Sequence, residues 1–139
     1  MILRKLALST LMFGIAGTLT GVVSAQTPPT KSAAELAAWD TDHDGSIDLT
    51  EAKQAGAAKF DRLDTDHDGT LDMSELASTR VGKGTFSKAD VDKDGTLSKD
   101  EYLALVEARF NRADTDHDGT VSAAELKTKS GHAFAALLK

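Results

Sequence analysis

Apolar residues recur at fixed distances from four polar segments of 12 residues, which begin at positions 40, 64, 90 and 114. One stands four residues before each segment, one occupies its eighth position, and in three cases another follows its last residue. This spacing predicts helices on both sides of each segment, each with one face in a shared core. The predicted core residues are Leu36, Phe60, Phe86 and Phe110 before the segments, Ile47, Leu71, Leu97 and Val121 within them, and Leu76, Tyr102 and Leu126 after them.

Two stretches between the segments favour single helices. Only 12 residues separate the first segment from the second, and 12 separate the third from the fourth. These are too few for an outgoing helix, a linker and an incoming helix. We therefore predict one helix over Leu49–Leu63 and one over Lys99–Ala113, each shared by two segments. Because 12 helical residues span about 18 Å, segments that share a helix lie at its opposite ends. The first segment must then pair with the fourth and the second with the third.

The ends of the folded region follow from local signals. Ser32 and Glu35 have the spacing of a capping box, so the first helix is expected to start at Ser32. Gly82 and Gly84 in the 81–86 connection are expected to make it flexible and to shorten the helix before the third segment. The predicted fold is therefore an all-α, compact bundle over residues 32–139, with a disordered leader at residues 26–31.

The first 25 residues are typical of a cleaved secretory signal. Arg4 and Lys5 precede an apolar run that extends from Leu6 to Val23, and small residues end at Ala25. Cleavage after Ala25 predicts a periplasmic protein without stable membrane association. An uncleaved membrane anchor is the alternative, and the Gly and Thr content of the run disfavours it.

Composition excludes several classes of protein. The chain has 139 residues, no Cys and a net charge of −6, which argues against thiolate chemistry and against nucleic-acid binding. Loss of residues 1–25 would remove two basic residues and no acid, leaving a net charge of −8. Only 20 of the remaining 114 residues are Leu, Ile, Val or Phe. That combination is typical of chains that stay disordered unless something else stabilises them.

Most acidic residues lie in the four segments, which contain 19 of the 22 Asp and Glu residues. Each follows the EF-hand loop pattern Asp-x-Asp-x-Asp-Gly-x5-Glu, which supplies the 6–8 oxygens that a hard cation requires. Position 6 is Gly because the loop turns there with positive φ. The predicted ligands, at positions 1, 3, 5, 7, 9 and 12, are Asp40, Asp42, Asp44, Ser46, Asp48 and Glu51; Asp64, Asp66, Asp68, Thr70, Asp72 and Glu75; Asp90, Asp92, Asp94, Thr96, Ser98 and Glu101; and Asp114, Asp116, Asp118, Thr120, Ser122 and Glu125.

Positions 4 and 9 distinguish the loops. Asp48 and Asp72 give the first two loops five carboxylates each, whereas the last two loops have Ser at position 9 and four carboxylates. Attraction scales with ionic charge, so the extra carboxylate is expected to favour trivalent ions in the first two loops. Position 4, which is His in three loops and Lys93 in the third, is expected to face solvent.

The short spacing between loops resembles that of the lanmodulin family of periplasmic lanthanide-binding proteins, over about residues 32–139. The resemblance includes residues 57–76 and 99–110 and the Ala/Leu-rich tail. It implies selective binding of lanthanide(III) ions, coupled to ordering of the chain. The best-known members carry Pro at loop position 2, where this chain has Thr41, Thr65, Val91 and Thr115. This difference affects how well the loops are expected to reject Ca²⁺. The ions expected to bind are lanthanide(III) ions and/or Ca²⁺, up to four per chain.

Several functions are compatible with such loops. The first is capture, buffering or delivery of metal ions by a monomer or a metal-dependent dimer. The second is a calcium sensor that binds a protein target, although the chain after Ala25 has only Met73 for a Met-rich groove. An interaction module similar to dockerin is a third. An enzyme is not expected, because nearly all carboxylates lie in the loops. Trp39 is expected to pack in the core and His132 to lie on the surface.

Overall fold

The computed structural model describes residues 30–139, so the predicted signal sequence and most of the predicted leader lie outside the described residues. Five α-helices and two 3-10 helices surround four short strands. Each strand lies at the end of an acidic loop, and the helices form a compact bundle, as predicted. In chain order the elements are α1 Lys31–Trp39, β1 Ser46–Asp48, α2 Leu49–Leu63, β2 Thr70–Leu71, a 3-10 helix Glu75–Thr79, α3 Lys83–Ala89, β3 Leu97–Ser98, α4 Lys99–Ala113, β4 Thr120–Ser122, a 3-10 helix Glu125–Lys127 and α5 Lys129–Ala135.

The two long helices, α2 and α4, have the predicted bounds. Each begins at a capping box, in which the side chain of Asp48 or Ser98 accepts from the backbone of the Glu three residues later. That Glu accepts in return from the backbone N–H of the cap. Both helices therefore start at loop position 10 and end where the next loop begins, which places two loops at opposite ends of each helix.

The loops pair as predicted from this geometry. Strand β1 is antiparallel to β4, with Ile47 opposite Val121, and β2 is antiparallel to β3, with Leu71 opposite Leu97. These four side chains are fully buried. The pairing joins the two halves of the chain, because each strand pair takes one loop from each half.

The core contains all eleven residues that the spacing pattern predicts, and Trp39, which was also expected there, is only partly buried against it. Phe60 packs edge-to-face on Tyr102, with ring centroids 5.8 Å apart, and Phe110 packs in the same way on Phe134. The core extends into the C-terminal segment, where Phe134, Leu137 and Leu138 are buried. The backbone of Gly131 packs so closely on Glu125 and Leu126 that a Cβ would overlap them, which explains the Gly in α5.

The predicted capping box of the first helix is wrong. Helix α1 begins at Lys31, and the Thr30 hydroxyl is the cap, accepting from the Ala33 N–H at 3.4 Å. Ser32 is buried within the first turn. Glu35 instead forms an ion pair with Lys139, at 2.6 Å from Oε1 to Nζ. A contact with the C-terminal residue, distant in sequence, thus replaces the local one.

The connection before helix α3 is short, since only residues 80–82 separate α3 from the preceding 3-10 helix. Helix α3 has seven residues and starts after Gly82, which provides no side-chain cap. The helix is short, as predicted, but Gly84 lies within it, so the connection ends at Gly82 and does not extend over residues 81–86 as predicted. No helix among residues 30–139 combines the length and apolarity needed to cross a bilayer.

Candidate metal centre

Carboxylates converge in all four loops. In each loop the Asp residues at positions 1 and 3 and one further carboxylate place ligand atoms within 4.8 Å of one another. The third member differs between the halves of the chain: it is the position-12 Glu in the first two loops and the position-5 Asp in the last two. The four groups are Asp40, Asp42 and Glu51; Asp64, Asp66 and Glu75; Asp90, Asp92 and Asp94; and Asp114, Asp116 and Asp118.

The remaining predicted side-chain ligands lie outside these groups. Asp44 and Asp68 at position 5, and Glu101 and Glu125 at position 12, line the same loops but do not join the group of three. The residues at position 9 are also outside. Position 7 was predicted to contribute through its carbonyl oxygen. Its N–H and hydroxyl donate to the position-5 Asp of the same loop, in Ser46, Thr70, Thr96 and Thr120.

The first Asp of each loop is held by the helix that precedes it. The N–H of Asp40, for example, donates to the carbonyl of Leu36 at 2.9 Å, so the residue extends α1 by one hydrogen bond. Its Oδ2 accepts from the N–H of Gly45 at 3.0 Å, across the loop. The equivalent bond to the position-6 Gly is present in the other three loops. The loop therefore folds around a buried carboxylate.

Two left-handed residues, separated by one residue, produce the turn at the middle of each loop. Position 6 is Gly, with φ between 85° and 92°, and position 4 is also left-handed, with φ of 60° to 62°. Position 4 is His43, His67, Lys93 or His117, and all four are exposed, as expected. None of the three His residues joins a group of converging ligand atoms, and the contribution of position 4 to the loop is the backbone turn.

The position-12 Glu connects the two ends of each loop. Glu125 Oε1 accepts from the Thr115 N–H at 2.7 Å and from its hydroxyl at 3.0 Å, while Oε2 accepts from the Ser122 N–H at 2.9 Å. The third loop lacks one of these bonds, because Val91 stands where the other loops have Thr. Val91 is 77% exposed and offers Glu101 only its N–H, at 2.8 Å.

Position 9 serves the helix as well as the loop. Asp48 Oδ1 accepts from the Glu51 N–H at 2.8 Å, and Asp72 Oδ1 accepts from the Glu75 N–H at 3.0 Å. The hydroxyls of Ser98 and Ser122 make the same bond in the last two loops, at 3.3 Å. One oxygen of each Asp therefore accepts from the N–H of the position-12 Glu, and the other oxygen remains for a cation; of the two residues, Asp48 is also the N-cap of its helix, α2.

Hydrogen bonds lower the pKa of three of the four position-12 carboxylates. Burial would raise the pKa of Glu125, but donation from Ser122 and Thr115 outweighs it and lowers this pKa to about 2. The pKa of Glu51 is lowered because the hydrogen bonds from Asp48, Thr41 and Asp42 outweigh its burial. The Ser98 N–H donates the main bond that lowers the pKa of Glu101.

Asp42 shows the opposite shift. The Asp44 N–H acts to lower its pKa, but desolvation and the negative charges of Asp44 and Glu51 together raise it. A nearby cation reverses this effect, since opposite charge favours the ionised form. The crowding of carboxylates around Asp42 is therefore costly for the protein alone and favourable with a bound cation.

Two buried carboxylate oxygens, in the third and fourth loops, indicate that a cation fits there. Asp90 Oδ1 and Asp114 Oδ1 are buried without a hydrogen-bond partner. In the first two loops the equivalent oxygens accept from the N–H groups of Asp44 and Asp68. A buried carboxylate oxygen without a donor is unfavourable, and a bound cation would satisfy it. The oxygen-only donor set also suits a hard ion such as Ca²⁺.

The polar contacts that fix the C-terminal segment were missed from the sequence. The Tyr102 hydroxyl donates to the Leu137 carbonyl at 2.6 Å, and Arg62 donates to the Leu138 carbonyl at 3.4 Å. Trp39 is only half-buried beside the first loop, and His132 is exposed, as expected. The segment thus lies across α1, α2 and α4 next to the first loop.

Comparison with known proteins finds matches over three of the four loops. The EF hand family matches residues 58–78, 83–106 and 105–128. No curated protein matches the chain. A solved structure of a homolog of programmed cell death 6 protein from Leishmania major Friedlin is 25% identical, with a TM-score of 0.32, over 76% of this chain and 69% of that chain.

Proposed function

We propose that this chain, whose EF-hand repeats form a calcium-type metal-binding bundle, holds lanthanide(III) ions and/or Ca²⁺ in all four loops. The observation that carries the proposal is the convergence of the Asp residues at positions 1 and 3 in every loop. The unpartnered buried oxygens of Asp90 and Asp114 support it in the last two loops. No reaction is part of this proposal, because the carboxylates are used as ligands.

Charge supports a preference for trivalent ions. The described residues 30–139 contain 14 basic and 22 acidic residues, a net charge of −8. Four Ca²⁺ ions would neutralise that charge, and four trivalent ions would exceed it by four. Each carboxylate attracts a trivalent ion 3/2 as strongly as a divalent ion at equal distance. The first two loops, with Asp48 and Asp72, are the proposed sites of strongest preference.

Metal binding is proposed to drive folding. The ligands of each loop repel one another without a cation, and the chain has few large apolar residues to offset that repulsion. Binding free energy would then become folding free energy. Circular dichroism of the chelated and the loaded protein tests this step, and equal helix content in both would contradict it.

The proposed location is the periplasm, where the protein would capture, buffer or deliver metal. The basis is the apolar N-terminal run with its small-residue end. Fractionation of cells expressing the full chain, followed by N-terminal sequencing, tests it. A mature N-terminus at Gln26 is the expected result, and an intact Met1 would contradict it.

The decisive experiment on the ion uses the single Trp of the chain. Trp39 precedes Asp40 directly, so excitation of this indole should sensitise emission from Tb³⁺ bound in the first loop. Titration of the Tb³⁺ complex with Ca²⁺ in millimolar excess then measures selectivity. Persistent emission supports a lanthanide protein, and easy displacement supports a calcium protein. A Trp39→Phe variant, which should still bind Tb³⁺ by calorimetry but lose the emission, identifies the loop.

The calcium sensor with a protein target is the alternative. A sensor requires an apolar groove that a target helix can enter. Here Phe134, Leu137 and Leu138 of the same chain are buried in the bundle, and the segment is further fixed by Tyr102. Metal storage or delivery is favoured, because a target would have to displace this segment. Calcium-dependent exposure of apolar surface to a fluorescent dye would instead favour the sensor.

A further inference from the structure

Positive charge is concentrated outside the loops. The loops hold 19 acids and only two basic residues, Lys93 and Lys99, a net charge of −17. The rest of the described chain holds 12 basic residues and three acids, a net charge of +9. Each of those three acids is already in an ion pair: Glu107 with Lys53, Asp61 with Lys99, and Glu35 with Lys139. The helices therefore carry many cationic groups without an acidic partner.

Three of these groups and one His line a single cleft, which we call the basic cleft. Its lining consists of Arg80, Arg109, Lys129, His132 and Ala133, and its volume is about 410 Å³. The four polar side chains come from three parts of the chain: the connection after the second loop, α4 and α5. An adjoining cleft of about 340 Å³ shares Arg80 and His132 and adds Lys31. Both volumes are in the range that holds a small ligand.

The backbone at Arg80 is unusual. Arg80 has φ of 58°, and it is the one non-Gly residue of the described chain with positive φ outside the loops. Gly or Asn is the usual residue at such a helix end, because a Cβ is disfavoured there. The conformation is maintained by the buried neighbour Thr79, whose hydroxyl donates to the Leu76 carbonyl at 2.6 Å and accepts from the Val81 N–H at 3.4 Å. This turn places Arg80 in the lining of the basic cleft.

No acid of the described chain forms an ion pair with the other cations of the cleft. Arg109 is half-buried, and the hydrogen bond it makes is to a neutral group, the Thr85 hydroxyl, at 3.5 Å. Lys129 and Arg80 are exposed and form no ion pair within residues 30–139. Cations placed around one cavity repel one another, and an anion with several oxygens would remove that cost. Guanidinium groups match the geometry of phosphate oxygens in particular.

We propose that the basic cleft binds a phosphate-bearing anion, either a soluble phosphomonoester or the head group of an anionic phospholipid. Arg80 and Arg109 provide the planar donors, Lys129 provides a point charge and His132 a further donor. The site is separate from the loops in both residues and charge, so it does not depend on which metal the loops prefer. Metal loading should strengthen the binding, because it removes the negative field of the loops.

The test uses the Ca²⁺-loaded protein after removal of free Ca²⁺. Glycerol 1-phosphate is titrated into ¹⁵N-labelled protein, and sedimentation is measured with vesicles of phosphatidylglycerol or of phosphatidylcholine. We expect saturable amide shifts at residues 80, 109 and 129–132 or sedimentation with phosphatidylglycerol alone. Amide shifts without sedimentation identify a soluble ligand. A lipid head group is identified if the protein binds the vesicles more strongly than its affinity for glycerol 1-phosphate predicts.

Two triple variants separate a built cleft from overall charge. Arg80→Gln, Arg109→Gln and Lys129→Gln remove cations of the cleft, while Lys59→Gln, Lys83→Gln and Lys127→Gln remove three that do not line it. Both triple variants have the same net charge. The cleft variant should bind on the order of tenfold more weakly and the control nearly as the parent. Equal losses in both variants, or no binding of either probe by the parent, would overturn the proposal; circular dichroism verifies folding in each case.

Discussion

Gly56 of α2 lies directly against Val106 of α4: a Cβ at position 56 would be 3.0 Å from Val106 Cγ2 and 3.4 Å from Leu103 Cδ2. The two residues occupy the same place in the two halves of the chain, which repeat at an interval of 50. The fully buried Val106 side chain fills the space left by the missing side chain of Gly56. The two loop-bearing helices can therefore cross closely at their centres, which fixes the distance between the two halves.

A larger side chain at this crossing should separate the helices. We expect Gly56→Val to lower the free energy of unfolding by about 1–3 kcal/mol, because a packed interior accommodates extra methyl groups poorly. Urea denaturation of the loaded protein measures the change. The exchange variant Gly56→Val, Val106→Gly should recover part of the loss. An additive effect of the two substitutions would show that the contact is not the cause.

The two long helices could be predicted to the residue, because their limits are set locally. Loop position 9 caps each helix at its start, and the next loop ends it, so Leu49–Leu63 and Lys99–Ala113 follow from the spacing of the loops. The same spacing excluded pairing of loops that share a helix, and the observed pairing of Ile47 with Val121 confirms that reasoning.

The C-terminal contacts could not be predicted in the same way. The bonds from Tyr102 to Leu137 and from Arg62 to Leu138 join residues far apart in sequence, and no periodic pattern marks such pairs. The grouping of ligands was also only partly predictable. Convergence at positions 1 and 3 follows from the loop pattern, but which carboxylate comes third depends on side-chain rotamers.

The single Tyr of the chain should titrate abnormally. Burial raises the pKa of Tyr102 well above its usual value of 10.0, and the nearby Arg62 opposes this shift only weakly. A raised pKa means that the neutral phenol stabilises the fold at pH below about 10, and that this contribution is lost as the pH rises above it. Absorbance of tyrosinate during alkaline titration should therefore appear only with unfolding, followed in parallel by circular dichroism. Denatured protein, as the control, should titrate near 10; the same value in the folded protein would contradict the buried hydroxyl.

Removal of the position-9 carboxylates should reduce preference for trivalent ions. The double variant Asp48→Ser, Asp72→Ser makes the first two loops resemble the last two, where the hydroxyls of Ser98 and Ser122 still accept from the N–H of the position-12 Glu. Folding should therefore be maintained while one carboxylate is lost from each loop. We expect the ratio of lanthanide to Ca²⁺ affinity to fall on the order of tenfold, measured by competition against Tb³⁺. An unchanged ratio would show that these Asp residues do not set the preference.

At position 2 of the third loop, a substitution can add a hydrogen bond that the other three loops already have. Thr41, Thr65 and Thr115 each donate a hydroxyl to the position-12 Glu, at 2.8 to 3.0 Å, whereas the exposed Val91 cannot donate to Glu101. Val91→Thr should add the missing bond and stabilise the metal-free protein by about 0.5–1.5 kcal/mol. Thermal or urea denaturation in chelator measures this change. The reverse variant, Thr115→Val, should cost a similar amount, because Glu125 would keep only the backbone donor at position 2. If Val91→Thr has no effect while Thr115→Val destabilises, the third loop already compensates for the hydroxyl, and its bond from the Val91 N–H to Glu101 is sufficient to close it.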